Sequence, residues 1–247
     1  MKRRVLLVSV LILVMSWPAF ALTGRKIMEK SDELAEPDTA MSKMIMRIHK
    51  GGRMEEKAFT LMMKQYDADK DKALLEFIRP TKIKLLTHSH GGREDDQWLR
   101  LSSGRIKRVA ASSKGKPFVN SHFYYEDLTS VNIDDYKYKS LGEGQAVETA
   151  CYKVEGIKKD PDTRVYEKLV FYVRQSDYFI SRIDFYMDGQ LHKYLENYDV
   201  KKINSILTPH RATMYRADGK GKTELFLGGV KYNVEIPDIR FKKEALR

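Results

Sequence analysis

Thirteen short runs of alternating apolar and polar residues follow one another from residue 40 to residue 235, and they constrain the fold more than any other feature of the chain. The runs cover 40–49, 54–66, 72–79, 83–90, 95–101, 105–111, 133–140, 146–157, 164–174, 178–187, 191–203, 207–217 and 222–235. Successive side chains of a strand point to opposite faces, so each run has two distinct sides. In 164–174, Val165, Leu169, Phe171 and Val173 share one side, and Tyr166, Lys168, Tyr172 and Arg174 share the other. In 178–187, Phe179, Ile183, Phe185 and Met187 stand opposite Arg182, Asp184 and Tyr186. Turn chemistry separates the runs at Gly51-Gly52, Asp160-Pro161-Asp162, Asp188-Gly189 and Asp218-Gly219. Strand runs joined by Asp-Gly read as hairpins. The pattern is an antiparallel meander, not a βαβ alternation.

An apolar sheet face must be covered. One helix is expected near the start, capped by Thr23, with Ile27, Met28, Leu34 and Ala35 as its apolar stripe and Pro37 marking its end. The stretch 112–130 breaks the strand rhythm: a polar loop leads to the aromatic cluster Phe123-Tyr124-Tyr125 and one helical turn at Glu126-Asp127-Leu128. So little helix cannot cover thirteen strands. Two solutions stay open: a barrel filled by its own side chains, or an apolar concavity that accepts something oily.

The N-terminus carries Lys2, Arg3 and Arg4, an apolar run from Val5 to Trp17, and Ala19-Phe20-Ala21. A basic start, a short apolar stretch and an A-x-A exit are the parts of a secretory signal peptide. The apolar run falls short of the roughly 20 residues that span a bilayer. Residues 1–21 are therefore expected to be cleaved near Ala21, leaving 22–247 as one domain outside the cytoplasm. The chain has a net charge of +11, and loss of the three leader cations leaves +8 on the rest. Such a surface favours anionic partners, and export argues against nucleic acid. The single cysteine, Cys151, lies in a strand run and reads as a small buried hydrophobe.

No familiar catalytic pattern is present. Asp67, Asp69 and Asp71 begin like a calcium loop, but Lys72 and Ile78 stand where Gly and Glu are needed, so an acidic hairpin loop is the better reading. His88 and His90 share a strand face and lack a recognisable third metal ligand. There is no G-x-S-x-G elbow, P-loop or G-x-G-x-x-G. Glu126-Asp127 beside two tyrosines reads as a pair that caps backbone amides or meets an arginine. A hydrolase built on that loop or on the two histidines is the weakest alternative. The basic run Arg105, Lys107, Arg108, Lys114 and Lys116 is either a solvated face or a docking patch. No metal or cofactor is expected.

Several segments recur in a fixed order: Asp95-Asp96-Gln97-Trp98-Leu99, Arg105-Ile106-Lys107-Arg108-Val109, and Phe118-Val119-Asn120-Ser121-x-Phe123-x-Tyr125-Glu126-Asp127-Leu128. Asp135-Tyr136, Cys151-Tyr152-Lys153-Val154, Tyr166-x-Lys168 and the closing Phe241…Leu246 continue the series. Together they resemble the outer membrane lipoprotein-sorting protein family, a branch similar to the LolA and LolB periplasmic carriers. The resemblance covers nearly all of 22–247. This chain has His122 where the family usually has Asp, and Arg100-Leu101-Ser102 where it has Tyr-x-Pro.

The resemblance implies a mainly β fold: an incomplete antiparallel β-barrel, a curved sheet with an N-terminal helix and a short helical lid. It implies a non-catalytic carrier for the acyl chains of a lipoprotein or lipid bound for the outer membrane, with transient membrane contact. An inner-membrane exporter of the resistance-nodulation-division type is an implied partner. The expected cavity lining is Leu75, Phe77, Trp98, Phe171, Phe185 and Phe226, with Phe118 and Phe123 near the lid. Arg105, Lys107 and Arg108 are the expected docking residues. The alternative is an envelope scaffold that binds an exporter and has a self-filled core.

Overall fold

A computed structural model describes residues 22–67, 70–90, 94–129, 131–160 and 165–247. The expected leader and the Pro161-Asp162 part of one expected turn lie outside these residues. Among the described residues, no helix is long and apolar enough to cross a membrane.

The strand runs form β1 (Thr39–Lys50), β2 (Arg53–Asp67), β3 (Lys70–Arg79), β4 (Lys84–His88), β5 (Asp96–Arg100) and β6 (Ile106–Arg108). They continue as β7 (Tyr136–Ala146), β8 (Thr149–Lys158), β9 (Lys168–Arg174) and β10 (Ile180–Met187). The last three are β11 (Gln190–Ile203), β12 (Ile206–Arg216) and β13 (Gly221–Tyr232). All thirteen belong to one curved antiparallel sheet that does not close into a barrel, in the order β6-β5-β4-β3-β2-β1-β13-β12-β11-β10-β9-β8-β7. Neighbours in sequence are neighbours in the sheet, except that β6 and β7 are unpaired with each other and β1 and β13 pair in the middle, with Met46 opposite Leu225. The free edges are thus β6 and β7, which are consecutive in sequence. The chain between them crosses one face of the sheet from edge to edge.

One boundary differs from the sequence reading. The sequence runs end at 140 and resume at 146, but 141–145, with Gly142 and Gly144, lie inside β7. The register of β7 on β8 shifts between Ser140 and Glu143, where Gly142 takes φ 85°, so the glycine serves a β-bulge. The actual turn is Val147-Glu148, both at positive φ, with no Gly or Asn to announce it.

Helix α1 (Gly24–Asp32) begins where Thr23 accepts a hydrogen bond from the Lys26 amide (3.2 Å). It stops before Leu34 and Ala35, because Asp32 and Glu33 place negative charge at the negative end of the helix dipole. Ile27 and Met28 face the sheet and are buried. Gly24 permits the close approach: a Cβ there would stand 2.8 Å from the Lys139 backbone of β7.

Both faces of the β1–β5 half are covered, so adjacent residues are buried in pairs: Leu74 with Leu75, and Leu85 with Leu86. The inner face carries Met46, Ile48, Phe59, Phe77 and Leu99 on this half, and Phe171, Val173, Phe185 and Met214 on the other. On the outer face, Met41, Met62, Leu74, Leu86 and Trp98 form a cross-strand apolar row. Ile236, Phe241 and Leu246 of the C-terminal segment lie on that row. Cys151 is fully buried.

Candidate functional site

The segment that joins β6 to β7 plugs the inner face. Residues 116–125 fold back on themselves, the Tyr125 amide donating to the Lys116 carbonyl (3.3 Å) and the Phe118 amide to the Phe123 carbonyl (2.7 Å). The tip turns at Val119 and Asn120, both at positive φ. It drives Phe118 into the core, edge-on to Phe77 (5.7 Å between centroids) and to Tyr125 (5.4 Å). Phe123 enters the cluster of Phe171, Phe185 and Met214. A helical turn at Glu126–Leu128 follows. The space left beside Tyr166 on this side is about 10 Å³, about one water-sized sphere.

Buried charge fastens the plug. Asp127 Oδ1 accepts from the Tyr166 hydroxyl (2.5 Å), and its Oδ2 accepts from the Tyr124 amide (2.6 Å) and from Lys193 of β11 (2.5 Å). Lys193 also donates to the His122 carbonyl (3.1 Å) and lies 3.5 Å from the Tyr124 ring centroid. Burial draws the Lys193 ammonium below the ordinary lysine range, against the pull of Asp127. Burial, with the Asp127 charge, pushes the Tyr166 phenol well up. The His122 amide donates to Thr223 Oγ1 (3.0 Å), and its ring Nδ1 shares a 2.8 Å hydrogen bond with the same hydroxyl. Burial, then the charges of Arg216, Lys50 and Lys193, bring the His122 imidazole down to about 4. Gln97 Nε2 donates to the Tyr125 carbonyl (3.1 Å), so both halves of the sheet hold the plug.

Six of the expected lining residues, Leu75, Phe77, Phe118, Phe123, Phe171 and Phe185, meet on the inner face and are buried there. Trp98 and Phe226 lie on the outer face, one residue out of phase with the others. Trp98 stands edge-on to His88 (4.9 Å), and Phe226 lies under the Arg47 guanidinium (5.0 Å). The eight residues therefore do not form one surface. Arg105, Lys107 and Arg108 are exposed at the β6 end of the sheet, and Arg108 pairs with Asp96. His88 donates to the Phe241 carbonyl (2.7 Å) and His90 pairs with Asp96 (3.0 Å). Among the described residues, no group of three His, Cys, Asp or Glu is placed to hold a metal. Asp127 caps the Tyr124 backbone amide, one of the two roles expected of the Glu126-Asp127 pair, while the cations the pair meets are lysines, Lys158 and Lys193, and not an arginine. Lys193 and Thr223 hold the plug, and the sequence reading missed both. The available signal was a lone lysine at an apolar phase, between Leu191 and Leu195.

The outer face holds a second feature. The C-terminal segment is clasped by Arg240 to Glu76 (2.9 Å), by Lys84 to the Ala245 carbonyl (2.9 Å) and by Lys64 to Asp238 (2.7 Å). Beside it opens a cavity of about 710 Å³, whose apolar lining includes Met41, Met62, Ile78 and Ile236. Thr60, Glu76, Lys84 and Arg100 form a cross-strand polar row along it.

A family model described as "-like: Uncharacterized protein" matches residues 69–247. The chain belongs to that family. No curated protein matches its sequence. Its fold is similar to a crystal structure of a DUF1329 family protein from Desulfovibrio piger, with a TM-score of 0.86, 25% identity, and 91% of this chain covering 98% of that one. It is similar to a putative outer membrane lipoprotein-sorting protein domain from Vibrio parahaemolyticus (TM-score 0.84, 26% identity, 90% of this chain and 97% of that one). A LolA superfamily protein from Nitrosomonas europaea shares the fold at 19% identity (TM-score 0.71, 91% and 100%). The recognition made from the residues thus holds, as does the curved, open sheet it implied.

Proposed function

We propose that the chain is a non-catalytic periplasmic carrier that works as one domain after cleavage near Ala21. It takes the acyl chains of a lipoprotein or lipid between the inner sheet face and a displaced plug, for delivery toward the outer membrane. The observation that supports this reading is the plug itself. A continuous apolar face, spanning both halves of the sheet, is covered by a segment that supplies no strand to it. The plug can therefore leave without breaking a ladder.

Magnitudes decide which cargo can displace it. Exposing Phe118 and Phe123 costs roughly 1.5–3 kcal/mol each. A chain of about 16 carbons gains on the order of 10 kcal/mol by burial at roughly 0.8 kcal/mol per CH₂. A chain of about 6 carbons gains roughly 5 kcal/mol, less than the two rings together with the Lys193–Asp127 pair, whose separation adds about 3–5 kcal/mol. Uptake should thus rise steeply with chain length.

A second reading is favoured by the tight filling of the inner face: an envelope scaffold that docks an inner-membrane exporter of the resistance-nodulation-division type through Arg105, Lys107 and Arg108 at the β6 end. Native mass spectrometry of the protein taken from its own periplasm without detergent separates the two. A stoichiometric acylated mass supports the carrier. A bare mass, with no uptake of a fluorescent long-chain fatty acid, sinks it and favours the scaffold.

A further inference from the structure

We propose that the cavity on the outer face is a separate binding site for a single-chain amphiphile with an anionic head. It lies across the sheet from the plug, so it stands or falls independently of the carrier reading.

The argument starts from what lines the cavity. Its apolar lining is made by Met41, Met62, Ile78 and Ile236, the last packed on the methionine row at the cavity's edge. Its volume, about 710 Å³, is within the range of small-molecule sites. Methionine suits a lining that must adapt to a flexible chain. The rim carries Lys82, Lys84, Arg100, Arg240 and Arg247 against Glu76 and Glu235, an excess of basic side chains. Lys84 and Arg240 are engaged by Glu76, whose carboxyl they hold below the usual range against the opposing effect of burial. Lys82 and Arg100 also line the cavity and make no ion pair among the described residues. An apolar lining bordered by an excess of basic side chains, with Lys82 and Arg100 outside any ion pair among the described residues, fits an alkyl chain with a carboxylate or phosphate head. A free inorganic anion would leave the lining wet, and an uncharged amphiphile would leave Lys82 and Arg100 unmatched.

The test uses methyl-labelled methionine NMR on the exported protein, with laurate, dodecyl phosphate, dodecyl glucoside and inorganic phosphate as probes. Met41 and Met62 report the outer cavity, while Met46 and Met214 report the inner face. Saturable shifts of the Met41 and Met62 methyls with laurate and with dodecyl phosphate are expected, and the relative affinity of the two tells which head is preferred. Dodecyl glucoside should bind about tenfold more weakly, and Lys82→Glu or Arg100→Glu should weaken laurate about tenfold. Lys82 is exposed, so its variant keeps the fold. The proposal is overturned if laurate leaves both methyls unmoved, if dodecyl glucoside matches it, if inorganic phosphate reproduces the shifts, or if neither charge reversal matters. Laurate shifts confined to Met46 and Met214 would support the carrier reading and end this one.

Discussion

Lys193 Nζ stands 2.5 Å from Asp127 Oδ2, with only 2% and 4% of the two side chains reaching solvent. This pair ties the middle of a strand to a segment that belongs to no strand. A buried ion pair is costly to assemble and far costlier to halve. Lys193→Met should therefore cost about 3–5 kcal/mol, since Asp127 would stay buried without its cation. Lys193→Met combined with Asp127→Asn should recover part of that loss, because no uncompensated charge remains. Urea unfolding of the two variants checks this. Equal destabilisation would show that the pair contributes no more than its packing.

His122 makes plug docking sensitive to acid. Its imidazole lies at about 4 in the folded chain, below the ordinary histidine value of about 6.5. Above pH 6.5 neither the folded nor the unfolded state carries the proton. Between 6.5 and 4 the unfolded chain binds it and the folded chain does not, so stability falls as pH falls through that window. The expected loss is ~2 kcal/mol at pH 5. His88 and His192 are lowered by burial as well and act in the same direction. Comparing unfolding free energies of wild type and His122→Asn at pH 7 and pH 5 isolates the one residue.

Phe118→Ala removes a fully buried ring from the plug tip. The expected cost is about 3–5 kcal/mol of stability. The same change weakens the competitor for the inner face, so uptake of a fluorescent long-chain fatty acid should increase. A destabilised variant with no gain in uptake would count against an inner-face cargo site.

Gly221→Ala tests the seat of His122. A Cβ at 221 would stand 2.7 Å from both His122 Nε2 and the His49 carbonyl. One of these must move, at an expected cost of about 1–3 kcal/mol. If the imidazole yields, it gains water, and its NMR titration should shift upward toward the ordinary histidine range. An unchanged titration would mean that the strand backbone moves instead.

Most of the sheet was legible from residue order, because alternation and Asp-Gly or Gly-Gly turns are local signals. The turn at Val147-Glu148 was not, since its positive φ values are borne by residues with no preference for them. Facing was legible where one side of a strand is clearly polar, as for Phe171 and Phe185. It failed at Trp98 and Phe226. Trp98 stands in the β1–β5 half, which is covered on both faces, so alternation there carries no sign, and the doublets Leu74-Leu75 and Leu85-Leu86 are the trace of that double burial. Phe226 stands in β13 within the unbroken apolar run Leu225-Phe226-Leu227, which offers no alternation to read. The pairing of β1 with β13 joins the two ends of the meander and has no local signature. Lys193 and Asp127 are 66 residues apart, and nothing near either announces the other.

The free edges of the sheet are consecutive in the sequence, and its first and last strands are paired at its centre. The backbone could therefore be severed within 109–135 without separating any two hydrogen-bonded strands. One piece would keep α1 and β1–β6, the other β7–β13, and the seam between them would be the ladder from Ala40 opposite Tyr232 to Lys50 opposite Gly221 together with the packing of α1 on β7 and its neighbours. The molecule is, in effect, a natural split pair whose tether doubles as its own stopper.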